Sequence, residues 1–294
     1  MGDYLVKAMA ADGQFRLYAV DATETVREAQ KRHDTWSASS AALGRTLVAT
    51  GLLSAAELKN KRDMLTVRIQ GDGPAGMIVA DGVSDGTVRG YIQEPHVHLP
   101  LNVVGKIDVA QTVGKNGILA VTKLLEGGKP FTGQVPLVSG EVGADFTYYL
   151  AKSEQIPASV GVSVFVNSDN TIGVAGGFLV EALPGATDDK LKKLEENIKT
   201  LPLVSEMLRQ GLKPEEILDR VAGGQRLMIL GQDDFAFKCT CSKDRFAKSL
   251  ATLRTKELQE MIDQDHGAET TCRFCGNKYN FSADELAAII KSKD

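Results

Sequence analysis

Apolar residues in the first 180 positions come in short runs cut by glycine. Tyr4-Leu5-Val6 and Phe15-Arg16-Leu17-Tyr18-Ala19-Val20 flank Asp12-Gly13, a turn dipeptide, and predict a hairpin. Ser37 to Leu58 is rich in Ala and Leu, holds no proline, and predicts one long helix. Leu65-Thr66-Val67-Arg68-Ile69 alternates with the period of a strand; Met77 to Ala80 and Val88 to Ile92 follow as further strands after glycine turns. A second helix is expected over Gly140 to Ser153. Ser159 to Val166 and Thr171 to Val180 read as a hairpin around Asp169-Asn170. Short glycine-bounded strands with two helices imply an antiparallel or mixed sheet.

The pattern changes after Leu183-Pro184-Gly185. Residues 188–220 carry 15 charged side chains, 8 acidic and 7 basic. Leu191, Leu194, Ile198 and Leu201 recur at helical spacing, and Pro202 ends that helix. Met207, Leu208, Leu212, Ile217, Leu218 and Val221 continue the apolar stripe past Gly211 and Pro214. Helices this short do not hold in water alone, so the stripe needs a surface to lean on. The segment 184–232 is therefore expected to be an amphipathic helical linker. In the last segment Phe246, Leu250 and Leu253 share one helix face, and Leu258, Met261 and Ile262 another. Ser282 and Glu285 have the spacing of a capping box before Leu286, Ile289 and Ile290.

Composition excludes some classes. The 294 residues are 43% hydrophobic and 24% charged, with a net charge of −4, which is ordinary globular composition without the basic excess of a nucleic-acid binder. The first twenty residues hold no apolar leader-like run, and nothing approaches the ~18 apolar residues of a membrane span, so a soluble, cytoplasmic protein is expected.

The chemistry concentrates at one end. All 4 cysteines fall after position 238, as Cys239-x-Cys241, thirty residues, then Cys272-x-x-Cys275. Four thiolates match a tetrahedral Zn²⁺ site, and Phe274-Cys275-Gly276 is similar to a zinc knuckle, whose glycine turns backbone amides toward sulfur. A metal would supply much of the folding energy of so small a unit. A purely structural zinc module is one reading. The Cys-x-Cys pair, short for a structural finger, and the absence of any histidine ligand leave a redox-active site as the other. Lys238, Lys243, Arg245, Arg273 and Lys278 lie near the cysteines in sequence; they either offset thiolate charge or form a solvated face.

Weaker motifs carry less. Gly71-Asp72-Gly73-Pro74-Ala75-Gly76 fits G-x-G-x-x-G, but Pro74 and the strand after it predict a glycine turn instead of a dinucleotide site. His96-Val97-His98 sets two imidazoles on one face of an expected strand, with no third ligand nearby. Residues 233–294 hold 10 basic and 11 acidic side chains, which argues against the alternative of a zinc-ribbon nucleic-acid-binding protein. A disulfide oxidoreductase using Cys272-x-x-Cys275 would need that motif opening a helix, whereas Gly276-Asn277 predicts a turn.

Several uncommon runs together carry a family resemblance. They are Cys239-Thr240-Cys241-Ser242 and Cys272-Arg273-Phe274-Cys275-Gly276, with Tyr279 and Phe281 behind. The body adds Phe131 to Gly140, Phe146-Thr147-Tyr148-Tyr149, Ser153-Glu154-Gln155 and Ala175-Gly176-Gly177-Phe178. Over essentially its whole length the chain resembles the redox-regulated 33-kDa holdase chaperones, the heat-shock protein 33 family. With the patterning, that gives an α+β protein. It has an N-terminal mixed α/β sheet domain over 1–183, the helical linker over 184–232, and a small C-terminal zinc-binding domain over 233–294. The resemblance implies one Zn²⁺ on Cys239, Cys241, Cys272 and Cys275 in the reduced, inactive form. On oxidation it implies disulfides Cys239–Cys241 and Cys272–Cys275 and loss of the metal. It further implies an ATP-independent holdase, not an enzyme, whose partners are unfolding client proteins. An ATP-driven foldase of the heat-shock protein 70 type would receive the clients, the active form would be a homodimer using the N-terminal domain, and neither nucleic acid nor membrane is a partner.

Overall fold

The hairpin at the start forms as its turn dipeptide demands. Strand β1 (Tyr4–Ala10) pairs antiparallel with β2 (Phe15–Asp21), and the turn between them holds Asp12 at φ 55 and Gly13 at φ 90. The structure is a computed structural model that describes residues 2–293. Next come helices α1 (Thr23–His33) and α2 (Ser37–Glu57), then strands β3 (Met64–Gln70), β4 (Met77–Val83) and β5 (Thr87–Ile92). A short α3 (Val109–Val113) precedes β6 (Ile118–Leu124) and β7 (Phe131–Pro136). Helix α4 (Val142–Tyr149) runs into a π turn over Leu150–Glu154, followed by β8 (Ala158–Val166) and β9 (Ile172–Ala182). The former linker region gives α5 (Asp188–Thr200), α6 (Val204–Arg209) and α7 (Pro214–Ala222), then β10 (Leu227–Asp234) and β11 (Ala236–Phe237).

These strands make two sheets, in the orders β10-β1-β2-β9-β8 and β11-β5-β4-β3-β6-β7. Helix α2 packs against strands of both. Of its 21 residues 16 are buried, which its run of Ala, Leu, Ser, Thr and Gly permits, since the helix has no wide polar face. Small residues also let neighbours approach: a Cβ on Gly51 would lie 2.3 Å from the Phe235 ring.

The central strands of the first sheet, β1, β2 and β9, have both faces covered along most of their length. Leu5, Tyr18, Val20 and Leu179 join the core around α2. The alternate residues Val6, Ala8, Phe15, Leu17, Ala19, Phe178 and Val180 point into a second core, closed by Leu194, Met207, Leu208, Ile217, Leu218 and Val221 of α5, α6 and α7. The strands are apolar on consecutive positions because each face has a cover. The linker stripe thus finds its partner in this sheet.

Helix does not persist to residue 232. Gly223, at φ 61, ends α7, and Leu227–Asp234 is the strand β10, paired antiparallel with β1. Gly223-Gly224 stops the helix and the run Leu227-Met228-Ile229-Leu230 takes the free edge of β1. The chain accordingly divides into the units Met1–Lys238 and Cys239–Asp294.

The second unit holds α8 (Lys243–Leu250), α9 (Thr255–Asp265), the hairpin β12 (Gly267–Thr271) and β13 (Lys278–Ser282), and α10 (Ala283–Lys291). The capping box at its last helix is present: Ser282 Oγ accepts from Glu285 N–H at 3.2 Å and Glu285 accepts from Ser282 N–H at 2.9 Å. Only Leu250, Leu258, Phe281 and Leu286 form its fully buried apolar centre among the described residues.

Candidate metal centre

Two tight turns bring the four thiols together. Cys239 and Cys241 lie just before α8, whose first turn is capped by Ser242 Oγ accepting from Arg245 N–H at 3.2 Å. Cys272 and Cys275 sit in the loop closing the β12–β13 hairpin, pinned by the pair Thr271–Lys278. Within that loop Cys272 N–H donates to Asn277 O at 2.9 Å and Gly276 N–H to Cys272 O at 2.8 Å, with Gly276 at φ 72. A side chain at Gly276 would be strained there, so the knuckle glycine has a steric reason. The amides of Phe274 and Asn277 donate to the sulfurs of Cys272 and Cys275 respectively.

All four Sγ atoms lie within 4.8 Å of one another, with Cys239–Cys272 at 3.8 Å and Cys241–Cys275 at 3.3 Å. A tetrahedron with Zn–S arms of ~2.3 Å has sulfur edges of about 3.8 Å. The donor set fits one tetrahedral, thiophilic ion such as Zn²⁺. All four cysteines are free thiols, Cys272 and Cys275 buried and the first pair partly so.

The electrostatics separate the thiols. Burial pushes the Cys275 and Cys272 thiols up. At Cys241 burial also opposes ionisation, but hydrogen bonds from the Tyr279 hydroxyl, at 3.1 Å, and from the other three cysteines outweigh it and lower the pKa. Sequence reasoning placed Tyr279 only in the motif's background. Its alternation with Phe281 on β13 was the available signal for a residue facing the site; the ring also stacks on Phe246 at 5.2 Å.

Of the five cations near the cysteines, two are engaged elsewhere. Lys243 pairs with Glu285, and Lys278 with Glu269 at 2.8 Å. Arg245 bonds the carbonyl and hydroxyl of Thr240, at 3.0 and 2.8 Å, which holds its guanidinium beside the Cys-x-Cys turn.

The other motifs resolve as structure. Gly71 to Gly76 forms the β3–β4 connection; Cβ atoms on Gly71 and Gly73 would lie 2.1 and 2.4 Å from carbonyls at the end of α3. Here glycine serves close backbone approach. The two histidines are not on a strand. The preceding Pro95 and following Pro100 keep this stretch out of the sheet, and His96 bonds Asp34 at 3.0 Å while His98 bonds Ser37 at 2.7 Å.

The sequence profile of the Hsp33 protein family matches residues 3–282, a span that contains all four cysteines. The chain belongs to the Hsp33 family. Two Hsp33-family relatives, each named 33 kDa chaperonin, are those of Lacticaseibacillus casei and Limosilactobacillus fermentum. The first is 65% identical over 290 residues, covering 99% of each chain; the second is 59% identical over 294 residues, covering both chains fully. The crystal structure of the 33 kDa chaperonin from Thermotoga maritima superposes with a TM-score of 0.92 at 36% identity, covering 100% of this chain and 99% of that one. The α+β fold with its C-terminal cysteine cluster is thus an Hsp33 fold. No helix among the described residues is long and apolar enough to cross a membrane.

Proposed function

We propose that this protein is a redox-gated, ATP-independent holdase: off when its thiols hold Zn²⁺, on when they are disulfides. Family membership supports a chaperone that receives client proteins. The observation that carries the gate is the cluster of four sulfurs within 4.8 Å, built into a unit with a very small apolar core. Cys239, Cys241, Cys272 and Cys275 would hold the metal, whose chemistry there is that of a structural cross-link.

The residues do the rest. A peroxide takes two electrons from one thiolate, leaving a sulfenic acid and hydroxide. The neighbouring thiolate then displaces hydroxide from that sulfur and closes a disulfide. We assign the bridges to Cys239–Cys241 and Cys272–Cys275, by the family resemblance and by nearness in the chain once the unit opens; in the closed unit the separations between the motifs, Cys239–Cys272 at 3.8 Å and Cys241–Cys275 at 3.3 Å, are also short. Two such short loops return together about 3–4 kcal/mol. Structural zinc contributes ~10–16 kcal/mol to a small module, so the exchange favours opening.

Opening of the second unit is coupled, in this reading, to release of α5 to α7 from the first sheet. That would uncover Val6, Phe15, Leu17, Phe178 and Val180, an apolar face suited to unfolding clients. The active form is read as a cytoplasmic homodimer that passes clients to an ATP-driven foldase of the heat-shock protein 70 type, without catalysis of its own. The test is light scattering of a thermally unfolding client, with reduced zinc-loaded protein and with peroxide-treated protein, while zinc release is followed. Suppression only after oxidation is expected; equal suppression in both states refutes the gate. Peptide mapping that finds bridges between the motifs refutes the pairing.

A further inference from the structure

The three covering helices are not seated alike. Helix α6 lies across β8 and β9, where Ser163 and Gly176 are direct cross-strand partners. A Cβ on Gly176 would lie 2.5 Å from the Val20 carbonyl and 2.7 Å from Leu208 Cδ1 of α6, so the missing side chain makes the notch in which that helix sits. Beside the notch Ser163 Oγ accepts from Ser205 N–H at 2.6 Å, and both residues are buried. Two residues on, the Phe165 ring carries the Arg209 guanidinium 4.1 Å from its centre.

Helix α6 has no cap of its own. It is 6 residues long, and its N-cap is Leu203, whose side chain cannot accept a hydrogen bond. Ser205 is its second helical residue, so the Ser205 N–H is one of the donors that an N-cap side chain ordinarily satisfies. Helix α7 differs. Pro214 opens it, Glu216 accepts from Lys213 N–H at 2.8 Å, and Gly223 at φ 61 closes it. Helix α7 thus carries its ends in its own sequence, whereas α6 borrows its first cap from the sheet beneath.

We propose that Ser163 locks the cover by capping α6 from the sheet, so that α6 is helical only while seated and melts when it leaves. A helix this short does not hold alone in water. Without the serine oxygen the seated helix would bury an unmet N–H, which costs stability. Docking and helix formation in α6 are therefore one event, and α7, with both ends capped locally, leaves as a helix. That the unlocked state takes clients rests on the redox gate proposed above; the capping does not.

The experiment is amide exchange in the reduced, zinc-loaded full chain. Ser163→Ala removes the acceptor and leaves the strand backbone intact. The amides of Leu208 and Arg209, at the far end of α6 from the lost bond, should exchange roughly tenfold or more faster, while α2, β3 and the zinc content stay at wild-type values. Leu203→Ser places an acceptor at the N-cap, an exposed position. Added to Ser163→Ala, it should bring those amides back to within about threefold of wild type. The single variant should also suppress client aggregation without oxidant, and the double variant should not. Unchanged exchange at Leu208 and Arg209, acceleration that extends to α2 and β3, or a double variant as fast as the single would each overturn the capping lock. So would fast exchange without oxidant-free activity, where the wild type is activated by oxidation. Oxidised wild-type protein that fails to hold clients would instead refute the gate, and the exchange result would still decide the capping.

Discussion

Leu218 tests whether the linker is a separable cover or an integral part of unit 1. It lies on α7, fully buried, in the core shared with Leu17 of β2 and the other outward-facing strand residues. Leu218→Ala removes three heavy atoms from a site with no solvent access and leaves a cavity, which costs about 2–5 kcal/mol. If α5 to α7 can lift as a unit, that cost falls on their docking and not on the sheet beneath. Each ~1.4 kcal/mol is tenfold in an equilibrium, so amides of 188–222 should exchange about 30- to 4,000-fold faster in the reduced, zinc-loaded variant. Amides of α2 and of β3, on the other side of the first sheet, should keep their protection, and zinc content should stay at the wild-type value. The same variant should suppress client aggregation without oxidant. Uniform acceleration across α2, β3 and the linker would show that unit 1 opens only as a whole, and the covering-helix reasoning would fail. So would accelerated linker exchange with no gain in holdase activity, since the uncovered face would then not be what clients bind.

Three further outcomes are expected. Glu181 is almost fully buried beside Arg16, at 3.6 Å, and burial, only partly offset by that arginine, pushes its carboxyl up to about 7. The folded state therefore holds this proton more tightly than the unfolded chain; the contribution is full below the ordinary carboxylate range, and stability falls by about 3 kcal/mol as pH rises from ~4.5 to 7. Denaturation followed at Trp36 should show that slope, and Glu181→Gln should flatten it; an identical slope in the variant refutes the assignment. Cys275→Ser replaces a buried sulfur donor, so zinc affinity should fall by at least tenfold in a chelator competition and unit 2 should lose exchange protection; wild-type affinity would remove Cys275 from the ligand set. Gly51→Ala drives a methyl against the Phe235 ring, at 2.3 Å from its nearest carbon, and should destabilise unit 1 by about 1–3 kcal/mol in urea denaturation; an unchanged midpoint would show that Phe235 moves freely.

How far the chain could be read before its structure depended on where the information lies. Local signals read well: the Asp12-Gly13 turn, the charge-poor Ser37 helix, the Ser282–Glu285 cap and the two cysteine turns are each specified within a few residues. Strands β6 and β7 were not anticipated, because Lys123 and the Glu126-Gly127-Gly128-Lys129 turn break their apolar runs, and β3, with which β6 pairs on its other side, is over fifty residues away. Helix α1 was missed for a related reason. Its first turn is held partly from a distance: beside the local Asp21, which accepts from Thr23 N–H at 3.1 Å, Asp3, on the other side of the hairpin, accepts from the N–H groups of Glu24 and Thr25 at 3.0 and 2.6 Å. The end of the linker shows the same limit from the opposite side. Its apolar residues carry no mark that says helix at Leu218 and strand at Leu230; the free edge of β1 decides. At the candidate metal centre the grouping of the four cysteines was legible because metal-binding thiols come in such closely spaced pairs. The Tyr279 hydroxyl on Cys241 was not, because a hydrogen bond across 38 residues follows from the hairpin register. That bond lowers the pKa of the very thiol it touches, while burial raises that of Cys275 across the site. The same hairpin register thus sets opposite electrostatic surroundings for Cys241 and Cys275, which the sequence spacing alone does not show.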